Sequence, residues 1–185
     1  MSVLVVGLSH RTAPVALLER AVVAVDDLRK TVEELHETEA ISEVLLLSTC
    51  NRVEVYSDVA RFHPAVAEIG AVLARHSGVP AADLTEHLYV HFAEAAVEHL
   101  LSVASGLDSM VVGESQILGQ LRAAYTLATE LGSIGTVLHD LAQTALRVGK
   151  RVHTDTGIDR AGASVVSVAL DRAEQEIGRA SGRER

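Results

Sequence analysis

The chain has 185 residues, 48% of them hydrophobic but only 3% aromatic, and a formal net charge of −9. That is enough apolar material for one sizeable core built from Val, Leu and Ala, while the acidic balance argues against broad nonspecific nucleic-acid binding, which rests on basic surface. There is no secretion-type start and no apolar run of membrane-spanning length, and the lone cysteine, Cys50, cannot close an internal disulfide; all of this fits a reducing, cytoplasmic setting.

Val3–Leu8 is an apolar run of strand length, and Ser9-His-Arg-Thr-Ala-Pro14 reads as a polar loop closed by proline. The spacing of Leu28, Val32 and Leu35 predicts a helix over 26–39 with Asp26 as its N-cap. Residues 43–47 read as a buried strand. Residues 52–59 read as a strand with one buried face, because Val53, Val55, Ser57 and Val59 alternate with Arg52, Glu54, Tyr56 and Asp58. A helix over 64–76, ended by Gly78 and Pro80, leads to a last short strand at 88–92. Strand, helix, strand, strand, helix, strand is the split βαβ plan of a ferredoxin-like α+β domain, with an antiparallel sheet and helices on one face. Four helices are then predicted, over 93–104, 109–130, 136–153 and 163–177, before a small, polar, basic tail from Gly178 that reads as a frayed end.

Three features bear on chemistry. Ser48-Thr-Cys-Asn-Arg52 is a polar break between two strands. A lone cysteine is most often a small buried hydrophobe, but here a turn would bring Cys50 to the sheet edge. Arg52 could favour its thiolate, or could hold a substrate carboxylate bidentately. On the residues alone both readings of the cysteine stay open. Ser109, Gly113, Gln116 and Gln120 fall on one stripe of the predicted 109–130 helix, a polar binding face with room left by the glycine. His99 lies among Ala95, Ala96, Val97, Leu100 and Leu101, which favours a satisfied core histidine over a general base.

Other patterns carry less. His87 and His91 have metal-pair spacing but no third ligand near them, so no metal is expected. Arg147-Val-Gly-Lys-Arg151 is basic; a helix C-terminus would favour such cations through its dipole, and RNA phosphates are the alternative partner. No GxGxxG follows a strand, and no P-loop, serine-triad or CxxC signature occurs.

Four blocks together resemble one family. Val6–Pro14, Ser48–Arg52, Val103–Gln120 and Gly149–Val152 stand in the order and spacing of glutamyl-tRNA reductases, across about residues 3 to 170. The resemblance implies an NADPH-dependent oxidoreductase of tetrapyrrole (porphyrin, haem) biosynthesis. A cysteine thiolate attacks the aminoacyl ester of glutamyl-tRNA(Glu), and NADPH reduces the resulting thioester to glutamate-1-semialdehyde. Cys50 matches the nucleophile, Arg52 the residue gripping the glutamate carboxylate, and His99 a histidine needed for activity, which reverses the core reading. Thr49, Asn51, Ser109, Glu114, Ser115, Gln116 and Gln120 match substrate-pocket positions, although many members have proline where this chain has Ser115.

The resemblance also divides the chain into a catalytic α+β part (1–92), a helical part of the same domain (93–160) and the start of a connecting spine helix with the tail (161–185). The family's NADPH-binding and dimerisation domains are expected beyond this stretch. Reductase activity is therefore not expected of this fragment alone, which would bind no cofactor. A homodimer is expected of the full-length enzyme, and the downstream aminomutase is a further partner. The rival readings are a non-catalytic module that binds tRNA or a protein partner, and a paralogue supplying aminolaevulinate to a specialised pathway.

Overall fold

The computed structural model describes residues 2–110, 112–114, 116–156, 170 and 172. Ser115 and the predicted 163–177 helix and tail fall outside them, apart from Leu170 and Arg172. In chain order the elements are β1 (Ser2–Ser9), α1 (Val15–Ala21), α2 (Val25–His36), β2 (Ile41–Thr49), β3 (Arg52–Val59), α3 (Phe62–Ser77), α4 (Ala81–Thr85), β4 (Tyr89–Phe92), α5 (Glu94–Ala104), α6 (Gln116–Leu131) and α7 (Thr136–Thr156). The four strands form one antiparallel sheet in the order β2-β3-β1-β4. This is the α+β split βαβ arrangement expected from the pattern of strands and helices.

Several local expectations change. α2 starts at Val25 with Ala24 at its N-cap, and Asp26 and Asp27 sit in the first turn, where they complement the helix dipole instead of capping it. α3 ends as anticipated, on Gly78 in the left-handed conformation (φ +61°), a geometry that costs glycine little. The helices α1 and α4 are additional, each entered through a proline, Pro14 and Pro80. The helix predicted over 109–130 begins only at Gln116. The stretch before it is a closed loop in which the Gly113 N–H donates to the Gly106 carbonyl (3.0 Å), and both glycines have positive φ. Two glycines so close together favour that loop over a continuous helix.

The largest difference concerns β3, whose eight residues are all buried. Leu4, Val6, Leu8, Val44, Leu46, Val53, Val55 and Val59 face α1 to α4 in one core. Val5, Leu45, Leu47 and Tyr56 face the opposite way, into a second core with Ala96, Leu100 and Val103 of α5, Ile117 and Leu121 of α6 and Leu138 and Ala142 of α7. The helical half therefore covers the sheet face that alternation had marked as solvent-facing. Arg52, Glu54, Tyr56 and Asp58 lie beneath it, each no more than 1% exposed.

The covering layer is tied down by charge as well as by apolar contact. The Glu43 carboxylate, from β2, accepts hydrogen bonds from the Val137 N–H (3.1 Å) and the Leu138 N–H (2.7 Å). It thereby caps the first turn of α7 in the way a local Asp or Ser would cap another helix. A Cβ at Gly135 would strike this carboxylate and push the capping group aside. Replacing Glu43 with Ala should lower stability by about 1–2 kcal/mol, measured as the shift in urea midpoint at constant slope.

Candidate active site

Cys50 sits at the tip of the β2–β3 hairpin and is exposed. Thr49 pairs with Arg52 across the ladder, leaving Cys50 and Asn51 as a two-residue connection. Such connections usually need positive φ, but neither residue has it. The Thr49 hydroxyl closes the turn instead. It accepts from the N–H groups of Asn51 (3.2 Å) and Arg52 (3.1 Å) and donates to the Arg52 carbonyl (3.3 Å). The loop after β1 holds the tip from the other side, with the His10 N–H donating to the Asn51 carbonyl (2.9 Å). That loop is itself wound by Ser9 and Thr12, whose side chains bond the backbone of Arg11 and Ser9. The Ser9–Pro14 motif is thus a clamp on the cysteine turn.

Arg52 points into the layer between sheet and helices, where its side chain is 1% exposed. Nη1 donates to Glu54 Oε1 (2.9 Å) and to Asp108 Oδ2 (3.0 Å), and Nη2 donates to the Asp108 carbonyl oxygen. Asp108 is shared with Arg11, whose Nη1 lies 3.0 Å from Oδ1. Among the described residues the Nε–H and the second Nη2–H of Arg52 have no partner. Together they form the other edge of the fork, the geometry that grips a carboxylate bidentately.

Glu54 is the centre of this layer. Its carboxylate also accepts from Tyr56 Oη (2.6 Å), Tyr89 Oη and His99 Nε2 (2.7 Å). A carboxylate only accepts, so Nε2 of His99 carries the proton. Burial alone would raise the Glu54 pKa, but the His99 hydrogen bond and the Arg52 charge outweigh it and hold it down to about 2. Burial and the Glu54 charge push both tyrosines above the usual phenol range, which keeps them protonated as donors. The charges of Glu54 and its neighbours overcome the burial of Arg52 and keep it cationic.

Gly7 makes this convergence possible. Across the sheet it pairs with Glu54 on one side and Tyr89 on the other, so Tyr89 reaches Glu54 over a residue without a side chain. A Cβ there would lie 2.7 Å from the Val53 carbonyl and 2.8 Å from Glu54 Cγ.

Cys50, Thr49, Asn51 and Arg52 line one pocket with Ser109, Glu114, Ile117 and Gln120. The structure therefore brings together most of the expected site residues, although Ser109 and Glu114 come from the loop rather than from a helical stripe. Gln116 is exposed on the first turn of α6 and does not line the pocket. Nor does His99, which stands behind Arg52, linked to it through Glu54 and stacked on the ring of His91 (4.4 Å between centroids). The pocket encloses only about 10 Å³, room for roughly one water, so any larger occupant requires lining side chains to shift.

The pattern of residues missed Glu54, Tyr56, Tyr89 and Asp108. The first two were visible as an Arg-Glu-Tyr face on β3, unlike the Lys- and Glu-rich faces that meet water. Among the described residues no group of His, Cys, Asp and Glu is arranged to hold a metal, and no helix is long and apolar enough to cross a membrane. Among the described residues none of the four strands runs through a glycine-rich turn into a helix N-terminus, the usual cradle of a dinucleotide, and no step is routed through one.

The site is thus an exposed cysteine on a clamped hairpin, over a buried arginine, in a two-faced α+β domain. The family model for the glutamyl-tRNA(Glu) reductase N-terminal domain matches residues 6–156, and the chain belongs to that family. It is similar to glutamyl-tRNA reductase from Methanopyrus kandleri, with 36% identity and a TM-score of 0.71 over 94% of this chain. The match spans 40% of that protein's length.

The Glu54 cluster has a defined pH signature. A carboxylate depressed from 4.5 to about 2 on folding contributes stability that is complete above about 4.5 and is lost as pH falls toward 2. Glu54→Gln should cost about 3 kcal/mol at neutral pH, because it leaves the buried Arg52 charge with Asp108 as its one remaining counter-charge, and should flatten the acid decline. Urea midpoints collected from pH 2 to 7 measure both effects; an unchanged acid slope in the variant would contradict the assignment.

Proposed function

We propose that this chain is the acyl-accepting part of a glutamyl-tRNA reductase and that Cys50 takes the glutamyl group from glutamyl-tRNA(Glu). The observation that carries the reading is the company Cys50 keeps: one pocket, one arginine and one carboxylate, Glu114. A glutamyl ester offers a free side-chain carboxylate and a free α-ammonium, which this pair complements. Family membership supports the same substrate.

The Cys50 thiolate attacks the ester carbonyl carbon, forming a C–S bond and a tetrahedral oxyanion. The intermediate collapses with cleavage of the C–O bond, and the departing ribose oxygen takes a proton to become the tRNA terminal hydroxyl. The glutamyl group stays on Sγ as a thioester. Arg52 presents its Nε and Nη2 edge to the side-chain carboxylate, and Glu114 receives the ammonium. Asn51, Ser109 and Gln120 supply neutral hydrogen bonds. Thr49 acts by shaping the turn, since its hydroxyl is already engaged by backbone.

His99 is read as a positioning residue rather than a base at the thiol. It fixes the Glu54 carboxylate, which in turn fixes Arg52. Gln116 and Ser115 are assigned no step. Reduction of the thioester by NADPH to glutamate-1-semialdehyde, with the homodimer and the aminomutase as partners, belongs to the whole enzyme; of the residues described here it would involve Cys50, whose thiolate would leave as the aldehyde forms.

Incubation with glutamyl-tRNA(Glu) followed by mass spectrometry should find a hydroxylamine-sensitive glutamyl adduct on Cys50 and none on Cys50→Ser. Intact ester with an unmodified Cys50 would overturn the reading. Arg52→Lys, which keeps the charge but loses the fork, should reduce the preference for glutamyl over glutaminyl donors tenfold or more, about 1.4 kcal/mol. The ratio of the two rates reads this independently of any loss of folded protein.

A further inference from the structure

On the flank of α6 away from α2, a groove of about 370 Å³ runs between α6 and α7. Arg122, Tyr125 and Thr126 line it from α6, and Gln143, Leu146, Arg147 and Lys150 from α7. No carboxylate lines it. The three cations are exposed, and among the described residues none of them has an ion-pair partner; Arg147 bonds only the Thr144 hydroxyl (3.1 Å). In a chain of net charge −9, three cations without ion-pair partners on one groove make a local positive patch suited to an anionic partner. The helix dipole does not supply it, because α7 continues to Thr156 and the basic residue of its last turn is His153. Arg151, one residue beyond Lys150, faces elsewhere and meets Asp155 (3.7 Å).

We infer that this groove binds the phosphate backbone of the tRNA near its aminoacylated end. The spacing is that of two facing helical rows, Arg122 and Thr126 on one helix and Gln143, Arg147 and Lys150 on the other, so the cations line a track rather than a point. Tyr125 adds an aromatic ring, oriented by the bond between its hydroxyl and His139 Nδ1 (2.9 Å); aromatic faces beside cations are the usual complement of single-stranded RNA. The groove is also correctly placed. Gln120, on the same helix, lines the Cys50 pocket, and Arg122 lies on the opposite flank one step along. The two sites thus lie on opposite flanks of α6. The identity of the polyanion as tRNA rests on the function proposed above; the groove and its charge do not.

Fluorescence anisotropy with an unacylated tRNA(Glu) transcript tests the assignment. Arg122→Glu combined with Lys150→Glu should weaken binding about tenfold or more and lower the salt dependence by roughly one to two phosphate contacts. Arg151→Glu, which makes half that change in charge outside the groove, should leave affinity within about twofold. Unchanged affinity in the double variant, an equal loss in Arg151→Glu, or no binding by the wild-type chain would each overturn the inference. Acylation of Cys50 by a small glutamyl thioester, which contains no RNA, should proceed at the wild-type rate in every groove variant. Failure of that acylation in the wild-type chain would count against the proposed function and leave the groove to be judged by the RNA measurement.

Discussion

The burial of one carboxylate organises this domain. Glu54 lies in a layer that excludes water, and an isolated charge there would cost several kcal/mol, so everything around it is arranged to donate. Tyr56 comes from the same strand, Tyr89 from across a glycine, His99 from the helix above and Arg52 from two residues before. Each of those groups would be poorly placed without the carboxylate. The most consequential is Arg52, a buried guanidinium whose one edge is fixed by Glu54 and Asp108, so that its other edge stays available at the pocket.

The same constraint explains why the second half of the chain is built as it is. A sheet face bearing Arg, Glu and Tyr is an unpromising surface for helices, yet α5, α6 and α7 pack on it through Ala, Leu and Val around the polar centre. The Glu43 cap fastens one end of α7, and the loop from Gly106 to Gly113 closes over Arg52 by way of Asp108. The cysteine is then presented by elements that are all fixed: a hairpin closed by Thr49, clamped by His10, beside an arginine held from beneath.

Much of this was legible in the residues. Strand order, the α3 stop at Gly78 and the helical change at residue 93 follow from periodicity and glycine placement. The polar break at Cys50 was correctly read as a turn between strands. Alternation in β3 misled, because period two reports that two faces differ and not that one of them is wet; Glu54 was discounted with the supposed outer face. The stripe from Ser109 to Gln120 failed as a helix, and of its four members only Ser109 and Gln120 still meet in the pocket. His99 looked like a core residue by its apolar neighbours, and it is largely buried, but its partner lies on another element at a distance in sequence that periodicity does not reach.

The central claim is that Arg52, held from behind by Glu54 and Asp108, offers its free edge to a glutamyl carboxylate while Cys50 carries the acyl group. A crystal structure of the chain acylated with a glutamyl thioester tests it most directly. The account predicts a carbonyl joined to Cys50 Sγ and the side-chain carboxylate within hydrogen-bond distance of Arg52 Nε and Nη2, with Nη1 still on Glu54 and Asp108. A glutamyl carboxylate bound elsewhere, or an Arg52 that has left Glu54 to reach it, would contradict the account.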